Sequence, residues 1–339
     1  MGGYGHVGTA LARELAVRYP GQLIIAGRHR DQAEALAATL PGGADAALVD
    51  VYDEESIHQA TQHAKLLVNT AIDQRSPALL QAACERHAAY LDIGASPSTI
   101  IDMLNLSAQA VQHGTCVLVA AGLDPGCTNL MATRASAYAG GAHRIHVALL
   151  LSLGDTFGSA AIDFMLEALA SPIRDEYQGR RQEFSAYRES RHCEFLPPFG
   201  RKLACRFPFP EQAFFTETFQ TRHAANWYAM DNTAINRLLA ALVRLGLTRL
   251  FRKESIRAVT RLFFQRLSQL LGGKDDVYAL AEAQGPDGTW RVSLTGHQES
   301  KTTALCACPW LRYYTRRSSI GQEYGCQSRS SILLAIYLH

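Results

Sequence analysis

Paired metal ligands, long apolar runs and net charge are what this sequence has least of. Its eight cysteines, Cys84, Cys116, Cys127, Cys193, Cys205, Cys306, Cys308 and Cys326, form no C-x-x-C pair, and its twelve histidines show no H-x-x-x-H or H-x-x-E spacing. No metal is therefore expected, and the cysteines read as reduced thiols, several of them buried. No run of about 18 uncharged apolar residues exists to span a bilayer. The first motif begins so close to Met1 that no signal peptide is expected, which points to the cytoplasm. A formal net charge of only +2 makes no demand for nucleic acid. With 339 residues, 47% of them hydrophobic, the chain can build two domains with separate cores.

What is present begins at once. Gly3-Tyr4-Gly5-His6-Val7-Gly8 has the spacing of a dinucleotide-binding turn, and Val7, Ala10, Leu11 and Leu15 continue it as an apolar helical face. The first glycine permits a tight turn, the second lets backbone N–H groups approach a pyrophosphate, and the third lets the helix pack on its strand. The helix amino end adds partial positive charge. One element is missing. The strand that should enter this turn would be central to the sheet, yet only Met1 and Gly2 precede the motif. The expectation is a true start upstream, by about six apolar residues, the length of an ordinary strand.

Up to about residue 126, β-like runs at Gln22 to Ala26, Ala46 to Val49, Leu66 to Val68, Tyr90 to Ile93 and Cys116 to Val119 alternate with helical segments. That is the pattern of an α/β, Rossmann-type doubly wound parallel sheet. Asp31-x-x-Glu34 reads as a capping box, and Ser76-Pro77 and Ser96-Pro97 as helix starts. From Cys127 the texture changes to an α+β substrate and dimerisation domain, with strands expected at Ile145 to Leu151, Leu203 to Phe207, Val277 to Glu282 and Trp290 to Leu294. The last two flank a hairpin turn at Gly285-Pro286-Asp287-Gly288. The expected divisions are 1–126, 127–304 and an irregular tail over 305–339.

Between Asn236 and Gln269 runs an amphipathic stretch with a markedly basic polar face. It reads either as helices packed on the second domain with that face in water, or as a weak contact for a membrane surface or an anionic partner.

In an open α/β sheet, ligands bind beyond the carboxyl ends of the strands. There stand Gly27-Arg28-His29-Arg30, Asp50, Asn69-Thr70-Ala71, Tyr90 with Asp92, and Gly122-Leu123-Asp124-Pro125-Gly126. An NAD enzyme places an acid on the ribose hydroxyl about twenty residues past the glycine turn. Here Arg28 stands instead, suited to a 2′-phosphate, with Gly27 leaving room, so NADP is the expected cofactor. Asp50 is a candidate for the adenine edge, though Asp50 or Asp53 equally suits a helix cap. Asn69, Thr70 and Ala71 suit a loop beside the nicotinamide ribose, and Gly122 a turn close to the cofactor.

Taken together, Gly2 to Gly8, Ala26-Gly27-Arg28, Val68-Asn69-Thr70, Tyr90-Leu91-Asp92 and Gly122 to Gly126 resemble the saccharopine dehydrogenase family, in its reductase-like, NADP-binding branch. The resemblance covers about residues 1 to 130. It is looser afterwards, where Gly296-His297 and Thr302-Thr303-Ala304 resemble the family's final strand and the start of a returning helix; past Ala304 the sequence departs from the pattern. It implies hydride transfer at a C–N bond, imine to secondary amine, of a small amino-acid-like substrate. Asp92 and Asp124, and less directly Tyr90, are the candidates to move the amine proton. Arg174, Arg180, Arg181, Arg206 and Arg222 are candidates to meet substrate carboxylates. Two other readings stay open: a membrane-surface reductase of an unsaturated lipid or polyketide, and a non-catalytic NADP-binding or inactivated relative. A homodimer is expected, as for most soluble oligomers.

Overall fold

The computed structural model describes residues 1–71, 75–94, 97–155, 157–170, 172–177, 180–211, 215, 219, 221, 223–271, 274–321 and 332–334. The chain divides into two compact units. One contains Met1–Cys127 and Thr303–Tyr337, and the other Thr128–Thr302.

In the first unit, helix α1 (His6–Arg18) is followed by β1 (Ile24–Gly27), α2 (Arg30–Ala37), β2 (Asp45–Leu48), α3 (Glu54–Thr61), β3 (Leu66–Asn69), α4 (Ser76–Glu85), β4 (Ala89–Asp92), α5 (Pro97–Asn105), α6 (Ser107–Gln112) and β5 (Val117–Val119). All five strands lie where hydrophobic patterning puts them, and every pairing among them is parallel. They form two separate ladders, β1-β2 and β5-β4-β3, with the short segment Ile332–Leu334 beyond β5.

Between the ladders lie Met1 to Gly3. The Met1 nitrogen donates to Val68 O at 2.7 Å on β3, Thr70 N–H donates to Met1 O at 3.1 Å, and Gly3 N–H donates to Ala26 O at 3.1 Å on β1. Three residues thus bridge both ladders at the position of the expected central strand. Inserted there, they give the doubly wound order, and α1 covers the junction. Its Ala12 and Ala16 pack with Ile25, Ala33, Leu36 and Ala37, while Leu11, with Val7 and Leu15, packs with Leu91, Ile93 and Leu118.

Two local expectations are corrected. Helix α2 begins at Arg30 with His29 as an N-cap that makes no side-chain bond, so Asp31 sits inside the first turn and is not a capping-box residue. Arg30 instead pairs with Glu34 one turn on, at 2.8 Å. Helix α4 does start at Ser76 with Pro77 in its first turn; Ser96 lies outside the described residues.

The larger correction is at the carboxyl end. No element is expected past Ala304, yet helix Glu299–Gly321 runs through it, Pro309 included. Ala304, Ala307, Cys308 and Leu311, at i, i+3, i+4 and i+7, are buried against Leu11, Leu91, Ile93 and Leu118. This segment closes the first unit's core, so residues 305–321 are helical where an irregular tail is expected; most of 322–339 lies outside the described residues.

The second unit holds α7 (Cys127–Tyr138, whose first residue lies in the first unit), β6 (Arg144–Leu151), α8 (Ser159–Ala170), β7 (Pro172–Tyr177), β8 (Arg180–Ser185), β9 (Ser190–Glu194), β10 (Arg201–Arg206), β11 (His223–Met230), α9 (Thr233–Arg244), a 3₁₀ turn (Leu247–Arg252), α10 (Glu254–Leu271), β12 (Asp276–Gly285) and β13 (Gly288–His297). A mixed sheet runs β13-β12-β6-β11-β10-β9. It curls enough for β9 to reach β12. Phe195, just past β9, meets the Tyr278 ring edge-on at 5.2 Å, and Arg191 meets Glu282 at 3.0 Å. The hairpin closes with Gly285 opposite Gly288. Glycine is needed at 285, where a Cβ would lie 2.1 Å from Gly141 O.

Candidate cofactor site

The turn from Met1 into α1 is built by close backbone packing. Gly5 N–H donates to Gly2 O at 3.0 Å, and a Cβ at Gly8 would lie 2.2 Å from that same oxygen. Position 8 therefore takes only glycine. Gly5 is different, because only Gly2 O comes within 4 Å of a Cβ built there, at 3.2 Å. Its exposed side leaves the backbone open to a ligand. Helix α1 has no side-chain cap and no acid in its first turn. Its leading N–H groups thus lack the partners that a cap supplies, which suits an anion.

Gly27 serves another purpose than the one expected. A Cβ there would lie 2.3 Å from the Tyr4 ring, and the Tyr4 hydroxyl accepts from His29 N–H at 3.0 Å. The room that glycine leaves is taken by Tyr4. Arg28 is exposed. Among the described residues it makes no ion pair, whereas Arg30 is tied to Glu34. Asp50 closes its own loop: its carboxylate accepts from Tyr52 N–H and its N–H donates to Ser56 Oγ, both at 3.0 Å. Asp53 is the cap of α3.

At the carboxyl ends of β3 and β4 the structure gathers Asn69, Ser76, Tyr90 and Asp92, all buried. Asp92 Oδ2 accepts from the Tyr90 hydroxyl at 2.7 Å and from Asn69 Nδ2 at 2.8 Å. Asn69 Nδ2 also reaches Ser76 Oγ at 2.9 Å, while Asn69 Oδ1 accepts from Ala71 N–H at 3.1 Å. Thr70 Oγ1 donates to Met1 O and Gly2 O, at 2.9 and 3.0 Å. The 69–71 loop is thereby locked to the glycine turn on one side and to Asp92 on the other. Burial pushes the Asp92 carboxyl up to about 7, against hydrogen bonds from Tyr90, Asn69 and Ser76 that pull it down. Burial, with Asp92 beside it, pushes the Tyr90 hydroxyl well above its ordinary value. Asp92 Oδ1 has no hydrogen-bond partner among the described residues.

After β5, Cys127 N–H donates to Gly122 O at 2.9 Å and closes the loop that carries Asp124. Gly126 has φ 132°, and a Cβ there would lie 2.3 Å from Gly122 O. Asp124 is half-buried, whereas Asp92 and Tyr90 have almost no exposed surface. Cys127 hydrogen-bonds with Cys306, which lowers its thiol pKa against the opposing effect of burial.

Sequence reasoning treats Ser76 only as a helix start and misses the Cys127–Cys306 contact, since neither has a motif. Of the arginines proposed for substrate, Arg206 is buried, pairs with Glu189 at 3.1 Å and lies over the Phe184 ring. The side chains of Arg174, Arg180, Arg181 and Arg222 lie outside the described residues. Asp275, Asp276 and His297 come within reach of a shared cation, but His297 Nδ1 already meets both carboxylates, at 3.3 and 3.0 Å. The described cysteines are free thiols.

Fold and turn together define a dinucleotide-binding domain of the Rossmann type, joined to a mixed-sheet domain. Residues 1–118 match the family described as the saccharopine dehydrogenase NADP binding domain. Over 98% of its length the chain superimposes on 92% of apo saccharopine dehydrogenase (L-Glu forming) from Saccharomyces cerevisiae, with a TM-score of 0.67 at 13% identity. The whole chain therefore has the saccharopine dehydrogenase fold. A looser likeness is to C. glutamicum DAP dehydrogenase in complex with DAP, with a TM-score of 0.43 at 12% identity over 94% of this chain and 93% of that one. No curated protein matches the sequence. Among the described residues no helix is long and apolar enough to cross a membrane.

Proposed function

We propose that the protein is an NADP(H)-dependent oxidoreductase that transfers hydride at a C–N bond, between imine and secondary amine, of a small amino-acid-like substrate. The observation that carries this reading is the uncapped, acid-free amino end of α1 behind the Gly3 to Gly8 turn, together with an exposed Arg28. The N–H groups of His6, Val7 and Gly8 hold the pyrophosphate, and Gly3, Tyr4 and Gly5 shape the turn. Arg28 meets the 2′-phosphate by a charge-assisted contact. Asp50 borders the adenine, and Asn69, Thr70, Ala71 and Gly122 border the nicotinamide ribose. When bound, the nicotinamide supplies or accepts the hydride.

The two carboxylates separate by burial. Asp124, half-buried on the 122–126 loop, is the group that holds and returns the amine proton. Asp92 and Tyr90, sealed inside, act through Asn69 as positioning residues for the 69–71 loop. NADPH oxidation followed with 2-oxo acids and aldehydes, each paired with amino-acid amines, tests the proposal. Turnover with one such pair, reduced about a hundredfold in Asp124→Asn with NADPH affinity retained, is the expected result. No turnover across the panel by a chain that binds NADPH overturns it.

A further inference from the structure

Helix α10 is turned the opposite way from an ordinary surface helix, which buries its apolar stripe. Beyond Glu254 at its start, the residues it exposes among those described are Ser255, Val259, Leu262, Phe263 and Arg266, at i, i+4, i+7, i+8 and i+11 on a single helical face. Val259, Leu262 and Phe263 are 68%, 61% and 61% exposed. Its partly buried Arg257 and Arg261 turn instead toward acids on α8. Arg257 meets Glu167 at 2.7 Å and also holds Glu254, and Arg261 meets Asp163.

Along α9 and the residue that follows it, the outward side chains are Ala234, Arg237, Leu238, Ala241, Arg244 and Leu245, apolar and basic together. The 3₁₀ turn between the two helices packs against both and exposes Leu247, Arg249, Leu250 and Arg252. Seven large apolar side chains thus stand in solvent along one continuous stretch of chain. Arg237, Arg244, Arg249, Lys253 and Arg266 stand among them, exposed, and none makes an ion pair among the described residues. Reading this stretch as packed helices with only a basic face in water accounts for the charges and not for the leucines.

We propose that this face docks on an anionic membrane surface. Leu238, Leu245, Leu250, Leu262 and Phe263 enter the boundary between headgroups and acyl chains, and the flanking arginines meet lipid phosphates and carboxylates. Charge decides the occupant. Residues 233–271 carry eight basic side chains and one acid, Glu254. A two-fold contact with a second copy would set this basic surface against itself, at a cost that a negatively charged bilayer turns into attraction. The contact is peripheral, since α10 lies along the surface.

The test is flotation of the full chain with phosphatidylcholine vesicles, with and without phosphatidylserine. Binding is expected only with phosphatidylserine, and it should weaken as salt rises. The variant Leu262→Ser/Phe263→Ser should lower the partition at least about tenfold. Each of Arg244→Gln and Arg266→Gln should lower it about fivefold. These side chains are exposed, so melting temperature should stay close to that of the parent chain, which separates lost docking from lost folding. Absence of binding to anionic vesicles, or binding that the variants leave intact, overturns the proposal. So does a dimer in sedimentation velocity that Leu262→Ser/Phe263→Ser dissociates, which would assign the face to a second copy.

Discussion

Asp92 in the first unit and Glu282 in the second are both buried carboxylates, with 0% and 6% of their surface exposed, and their surroundings treat them in opposite ways. Glu282 is clamped between Arg191 at 3.0 Å and Arg291 at 2.7 Å. Burial pushes its carboxyl up, but the hydrogen bonds and charge of the two guanidinium groups outweigh that and hold it below its ordinary value. Asp92 has hydrogen bonds and, in place of guanidinium groups, only the charge of the Met1 amino group, which burial itself pushes down to about 6. Burial wins there, and its carboxyl rises to about 7. Low exposure therefore does not fix a carboxylate's charge; two guanidinium groups that stay charged and hydrogen-bond to it do. Glu282 is an ionised brace between strands, while Asp92 is a proton-holding group at the end of β4, hydrogen-bonded to Asn69 at the start of the 69–71 loop.

The largest effect expected from this contrast is in Glu282→Ala. Leaving Arg191 and Arg291 without their shared partner should cost about 3 kcal/mol in denaturant unfolding. Leu311→Ala supplies an apolar scale for the first unit. Removing a buried side chain from the Ala304–Leu311 face should cost about 2 kcal/mol, and no loss would mean that this helix does not close the core. Asp92→Asn should cost about 1 kcal/mol or less at neutral pH, because an amide can still meet Tyr90 and Asn69.

Its signature lies in the pH dependence. The native state keeps a proton on Asp92 that the unfolded chain releases near 3.8. Stability from this group therefore falls as pH rises from about 4 to about 7, and the variant should flatten that slope. Glu282 runs the other way. Its contribution is present above its ordinary value of 4.5 and is lost as pH falls through its lowered value, a slope that Glu282→Gln should remove. Matching slopes for the two variants would break the contrast.

The strands of the first unit were legible because alternating elements with short apolar cores leave a strong pattern, and all five stand where that pattern puts them. So was the glycine turn, whose spacing follows from packing that the structure shows at Gly8. The carboxyl helix was not. Its buried face is Ala304, Ala307, Cys308 and Leu311, three of them small, and Pro309 lies within it. Small residues and a proline read as a broken pattern although their spacing is helical. Strands β8 and β9 were hidden for a different reason: sequences such as Ser190–Glu194 are polar and carry no alternation, and pairing places them, with β7 for β8 and with β10 for β9.

At the site, strand ends located Asn69, Asp92 and Asp124, but nothing in one-dimensional spacing says that Asp92 faces Tyr90 and Asn69. Nor does it say that Tyr4 fills the room beside Gly27. The amphipathic stretch shows the same limit. Its periodicity was plain, and which side faces water is set by Glu167 and Asp163, about a hundred residues upstream, too distant for helical spacing to reveal.

The central claim is that the uncapped end of α1 and Arg28 form the site of a 2′-phosphorylated dinucleotide. Titration of the full chain with NADPH and with NADH, read by tryptophan quenching, tests it most directly. The account predicts NADPH binding at least about tenfold tighter than NADH, a difference of about 1.4 kcal/mol, and loss of that preference in Arg28→Glu. Equal affinities, or a preference that survives Arg28→Glu, would contradict it.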